Sequence, residues 1–68
     1  MKIKKDMTYI VVKDFSDHNY NPEKVVFIKG KKYTAHQDNC IRGENDQSYD
    51  FTGYSKVDQY FEETTDNS

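Results

Sequence analysis

The chain has no tryptophan, one cysteine (Cys40) and no long apolar run. Each lack removes a class of protein. A single cysteine forms no intrachain disulfide, so the fold is not a disulfide-stapled scaffold, and a lone thiol fits a reducing compartment. No stretch approaches the roughly 20 apolar residues that span a bilayer. The opening "MKIKKDMTYIVV" is basic, but its apolar run is too short for a secretory signal and lacks a small-residue cleavage site. A cytoplasmic protein is expected. Nucleophilic chemistry is equally short of material, because His18 and His36 are the only histidines that could join Cys40. Cys40 sits beside Ile41, where a free thiol acts as a small hydrophobe. A chain of 68 residues also leaves little room for a pocket of a few hundred Å³. The expectation is a non-enzymatic protein without a cofactor.

What the chain does have is aromatic side chains. Six tyrosines and four phenylalanines make up 15% of it, against 34% hydrophobic and 32% charged residues overall. A chain of this length buries only about 60% of its unfolded surface, so its core is marginal. Rings supply the most apolar area per residue. These figures predict one folded domain over residues 1–63 with a small aromatic core, and a flexible tail over 64–68.

The net charge of −2 hides an asymmetry. Residues 1–36 carry eight Lys and four Asp/Glu, or +4, and residues 37–68 carry two Lys/Arg and eight Asp/Glu, or −6. Folding either separates these halves into two faces or interleaves them.

Local patterning is mainly β. "MTYIVVKDF" (7–15) is rich in β-branched and aromatic residues and predicts a strand. "SDHNYNPE" (16–23) predicts a loop. "KVVFI" and "KKYTAHQD" predict strands around Lys29-Gly30, with Gly30 suited to a positive-φ turn position. "NCIRG" and "SYDFTG" predict two more strands. Five short strands separated by turns suggest a small barrel or rolled antiparallel sheet. The ending changes period: Val57, Tyr60 and Phe61 stand at i, i+3, i+4, a helical stripe. Ser55 is its expected N-cap, with Asp58 three residues on. A short C-terminal helix docked on the sheet is predicted.

"VVKDF" (11–15), a polar loop and then "VVFIKGKKYTA" (25–35), with Phe27, Gly30 and Tyr33 in the turn, resemble the Src-homology-3-like small β-barrels. That resemblance implies a five-stranded barrel over residues 7–51. Its peptide-binding members grip polyproline through an aromatic groove with a central Trp, and the absence of Trp here argues against that ligand. Size, the Lys/Asp/Asn/Tyr-rich composition and the appended helix also resemble small phage and mobile-element inhibitors of host defence, such as anti-CRISPR proteins. That second resemblance implies a host bacterial cytoplasm and a host nucleic-acid-handling complex as partner.

Three surfaces compete for the function. In the acidic half, Asp46, Asp50, Asp58, Glu62, Glu63 and Asp66 alternate with Tyr49, Tyr54 and Tyr60. Such carboxylates can imitate phosphates in a partner's nucleic-acid channel, while tyrosines add contact area at low entropy cost. Tyr49, Asp50, Tyr54, Asp58 and Glu62 are the expected protein-binding residues. The alternative is nucleic acid, held by Lys29, Lys31 and Lys32 with help from Lys2, Lys4, Lys5 and Lys13, and with Tyr33 and Tyr9 as stacking platforms. A pI near 5.5 opposes it. The third surface is a metal site, zinc above all, at His36 and Cys40 across the turn, completed by His18 or by a carboxylate such as Asp38, or shared with a second chain. Pairing of exposed strand edges into a homodimer is left open.

Overall fold

The computed structural model describes residues 1–17 and 24–64. His18 and the tail from residue 65 lie outside the described residues. Along these residues run β1 (Thr8–Val11), β2 (Phe15–Ser16), β3 (Val25–Phe27), β4 (Lys32–Gln37), β5 (Cys40–Arg42), β6 (Ser48–Asp50), α1 (Val57–Tyr60) and β7 (Phe61–Glu63). The fold is mainly β with one short helix near the C-terminus, as the sequence predicts. Five strands form an antiparallel sheet in the order β6-β5-β4-β1-β7, and β2 pairs antiparallel with β3 in a second sheet. No ladder joins β6 to β7 among the described residues, so the five-stranded sheet is open.

The central strand, β4, serves two partners. Its first half pairs with β1 (Tyr9 opposite Tyr33), and its second half pairs with β5 (Ala35 opposite Ile41). The register slips between Ala35 and Gln37, where the extra residue bends the strand. Side-chain alternation then carries Tyr9, Val11, Ala35 and Ile41 inward. Ile3, Val26, Phe27, Phe51, Val57 and Phe61 complete the buried core. Phe27 is its hub. It meets Phe15, Tyr33, Tyr49, Phe51 and Phe61 at ring-centroid distances of 5.1–5.9 Å, mostly edge to face. That geometry suits the ring quadrupole.

The Lys29-Gly30 turn has the predicted backbone. Gly30 stands at φ +87°. Its N–H donates to Val11 O at 2.7 Å, and the Val11 N–H donates to Lys31 O at 3.0 Å. The turn therefore lies against β1 and extends the β1–β4 ladder. The loop between β5 and β6 depends on a close approach instead. A methyl group added at Gly43 would collide with Val26 Cγ1.

One expectation needs correction. The helical stripe is a single turn, and Phe61 leaves it with extended dihedrals, φ −126° and ψ 146°. Phe61 then pairs with Val11, Glu62 with Ile10 and Glu63 with Tyr9. Ser55 is not the cap; Lys56 holds that position, and no side chain caps the turn. A one-turn helix has almost no intrinsic stability, while β1 offers an unpaired edge that three residues can satisfy. At the N-terminus no periodicity marks Ile3. It is buried, because its carbonyl accepts from the Asn39 N–H at 2.8 Å while the Asp6 N–H donates to Ala35 O at 2.8 Å.

The charge halves interleave. Acidic β7 lies on β1 from the basic half. Lys31 Nζ meets Glu44 Oε2 at 2.6 Å, and the terminal ammonium of Met1 meets Asp58 Oδ1 at 2.8 Å.

Candidate binding cleft

Folding gathers Phe15 from β2, Tyr49 from β6, Tyr54 from the turn after β6 and Tyr60 from the end of α1. Each is half-buried against the core. Phe15 stands edge-on to the other three, with centroids at 6.3 Å to Tyr49, 6.4 Å to Tyr54 and 5.2 Å to Tyr60. Tyr54 and Tyr60 run within 26° of parallel at 6.5 Å. With Asp14, Ser16 and Asp17 these rings line a cleft of about 570 Å³. A second hollow of about 320 Å³ adjoins it over Asp50, Thr52 and Gly53, sharing Phe15, Tyr49 and Tyr54. So small a chain was expected to have little room for such a space. The hollow lies along the ring cluster, lined by all four side chains.

The polar groups of the cleft are held in place. Tyr49 Oη donates to Asp17 Oδ2 at 2.9 Å and accepts from Asn45 Nδ2 at 2.8 Å. Asp14 Oδ1 accepts the Lys29 N–H at 2.7 Å, and Asp50 Oδ1 accepts the Thr52 N–H at 2.8 Å and the Thr52 hydroxyl at 2.5 Å. The partners of Asp14 and Asp50 are neutral, so those hydrogen bonds orient the carboxylates without cancelling their charge. The Thr52 hydroxyl, and then its amide, hold the Asp50 carboxyl below its ordinary range. Burial, and then the charge and hydrogen bond of neighbouring Tyr60, push the Tyr54 phenol upward. Lys13 Nζ stands over the Tyr60 ring, 5.3 Å from its centroid.

Of the five protein-binding residues expected from sequence, Tyr49, Asp50 and Tyr54 come together here. Asp58 does not. It holds the terminal ammonium of Met1 and borders a different hollow, with Lys2, Asn39 and Val57. Glu62 is exposed on edge strand β7. Sequence reasoning missed Asp14, Phe15, Asp17 and Tyr60 as one group with Tyr49. The "KDF" ending of the first strand was a signal for Asp14 and Phe15, but nothing local joins residue 15 to residue 60.

The lysine-rich turn is arranged differently. Lys31 pairs with Glu44, which also accepts from the Tyr33 hydroxyl at 2.8 Å. These two contacts hold the Glu44 carboxyl below its ordinary range. The Tyr33 hydroxyl also accepts the Ile28 N–H at 3.0 Å, its ring packs edge-on to Phe27, and Lys31 lies 5.8 Å from its centroid. Burial pushes its phenol upward. Lys29 and Lys32 are exposed. Tyr9 is no stacking platform, being wholly buried with its hydroxyl accepting the Lys4 N–H at 2.8 Å.

At the β4–β5 turn, Cys40 is half-buried and faces Gln37 in the register, not His36. His36 Nε2 shares a hydrogen bond with Ser48 Oγ at 2.7 Å, and Asp38 Oδ1 accepts the Lys5 N–H at 2.9 Å. Among the described residues no three His, Cys, Asp or Glu side chains cluster as metal ligands. No helix among them is long and apolar enough to cross a membrane. Comparison with protein-family models, with curated proteins and with solved structures found no match, so the reading of the cleft rests on its geometry.

Proposed function

We infer that this protein is a non-enzymatic binding module that docks its tyrosine–carboxylate cleft on a basic surface of another protein. One observation carries the reading: four half-buried rings from separate parts of the chain converge on a cleft whose rim bears Asp14, Asp17 and Asp50. Half-buried tyrosines are pre-ordered by their packing, so they lose little entropy on contact. Carboxylates at the rim favour a cationic partner and speed the encounter. The resemblance to small phage inhibitors suggests the setting. There the cleft occludes a nucleic-acid-binding surface of a host defence complex in the bacterial cytoplasm, with carboxylates standing where phosphates would lie.

The competing surface is the lysine-rich turn, where Glu44 already offsets the charge of Lys31. Two measurements separate them. The first is titration with mixed DNA and RNA at low salt, where the cleft reading expects no binding. Tight, steeply salt-dependent binding that vanishes in Lys29/Lys31/Lys32→Ala would replace it with the nucleic-acid reading. The second is affinity capture from a bacterial lysate by wild type and by Asp14→Asn/Asp50→Asn. Loss of a basic, nucleic-acid-handling protein in the variant supports the cleft, and its retention counts against it.

A further inference from the structure

We propose that the group this cleft selects is a guanidinium, presented as the arginine side chain of a basic segment of the partner. The inference rests on the cleft being the docking surface and adds what fills it. Aromatic faces attract cations through the ring quadrupole. Here one face already carries a cation, since Lys13 Nζ stands over Tyr60. Tyr54 and Phe15, edge-on to one another, line both hollows, and Tyr49 lines both as well. Carboxylates line both hollows with those rings, Asp14 in the larger and Asp50 in the smaller. Asp14 and Asp50 are exposed, and their hydrogen-bond donors, a backbone amide and Thr52, carry no charge.

A site of flat rings flanked by carboxylates suits a planar cation better than a point charge. A guanidinium stacks on a ring and, from its edge, donates two parallel hydrogen bonds to a carboxylate. An ammonium is more strongly hydrated and meets either the ring or the carboxylate as a compact charge. Lys13 adds a like charge beside Tyr60, so an incoming arginine settles toward Asp50 and Tyr54 in the smaller hollow.

The test uses fluorescent Gly/Ser peptides bearing spaced arginines, with lysine and neutral citrulline counterparts and an arginine-free proline-rich peptide. Binding to the full chain is followed by anisotropy and by the ring resonances of the tyrosines. The arginine peptide is expected to bind about fivefold more tightly than the lysine peptide, to shift Tyr49 and Tyr54, and to lose about fivefold in Asp14→Asn and in Asp50→Asn. Asparagine keeps the oxygen that accepts from Lys29 or Thr52, so both variants should fold, as near-UV circular dichroism will show. Lys13→Ala is expected to tighten arginine binding. Equal binding of the arginine and lysine peptides with loss in the carboxylate variants would overturn the guanidinium inference and leave the cleft reading standing. Preference for the citrulline or proline-rich peptide would overturn it as well. Absence of tyrosine shifts with every peptide would remove both.

Discussion

Tyr33 and Tyr54 share a phenol pKa above the ordinary value near 10, and in both burial is the leading cause. The consequences differ, because Tyr33 also touches Glu44 whereas Tyr54 touches Tyr60. Spectrophotometric titration is predicted to show a late-ionising fraction that shrinks in Tyr54→Phe. In Glu44→Gln, Tyr33 should ionise at lower pH, since a carboxylate beside a phenol opposes its ionisation. Glu44 and Asp50 have depressed folded-state values. Their contribution to stability is present above the ordinary carboxylate range and is lost as pH falls through the folded values. Tyr33 and Tyr54 have raised values, so their contribution is full below the ordinary tyrosine range and is lost as pH rises through the folded values. Chemical denaturation across pH should show both limbs, with the acid limb weakened in Glu44→Gln.

Among the elements, the loop that bends at Gly43 and the two ends of the chain divide what was legible in the sequence from what was not. Gly43→Ala forces a methyl into Val26 and should cost about 1–3 kcal/mol by overpacking, measured by urea denaturation. The strands around Lys29-Gly30 were readable because alternation, β-branching and a positive-φ glycine all act within a few residues. The C-terminal element was not. Val57, Tyr60 and Phe61 do fit a helical stripe, but the unpaired edge of β1, some fifty residues away, outweighs a propensity that short. A direct comparison follows. Ser55→Ala should change stability by no more than about 0.5 kcal/mol, because Ser55 caps nothing. Ile3→Ala should cost about 2–5 kcal/mol, because Ile3 is core. A large loss on removing Ser55 would restore the longer capped helix that sequence suggests. The cleft was half legible for the same reason. Tyr49, Asp50 and Tyr54 lie close together in the chain, whereas Phe15 and Tyr60 reach them only through tertiary packing.

In the whole molecule, interleaving of the two charge halves turns a strong sequence asymmetry into local pairs, Lys31 with Glu44 and the terminal ammonium with Asp58. The lysine-rich turn is therefore a poorer electrostatic feature than its sequence suggests, and the rim of the cleft a better one. Edge strands β6 and β7 carry Asp50, Glu62 and Glu63, whose like charges oppose self-pairing in register. The protein is expected to stay monomeric in light scattering at low salt, where these charges are least screened. Docking at the cleft, as proposed, puts partners within reach of Thr52. The most direct measurement places a photo-crosslinking amino acid at position 52, on the cleft wall, and separately at position 29, on the lysine-rich turn, and irradiates each protein in a bacterial lysate. A discrete crosslink to a basic protein is expected from position 52 and none from position 29. The same product from position 29 alone, or crosslinks to nucleic acid there, would contradict it.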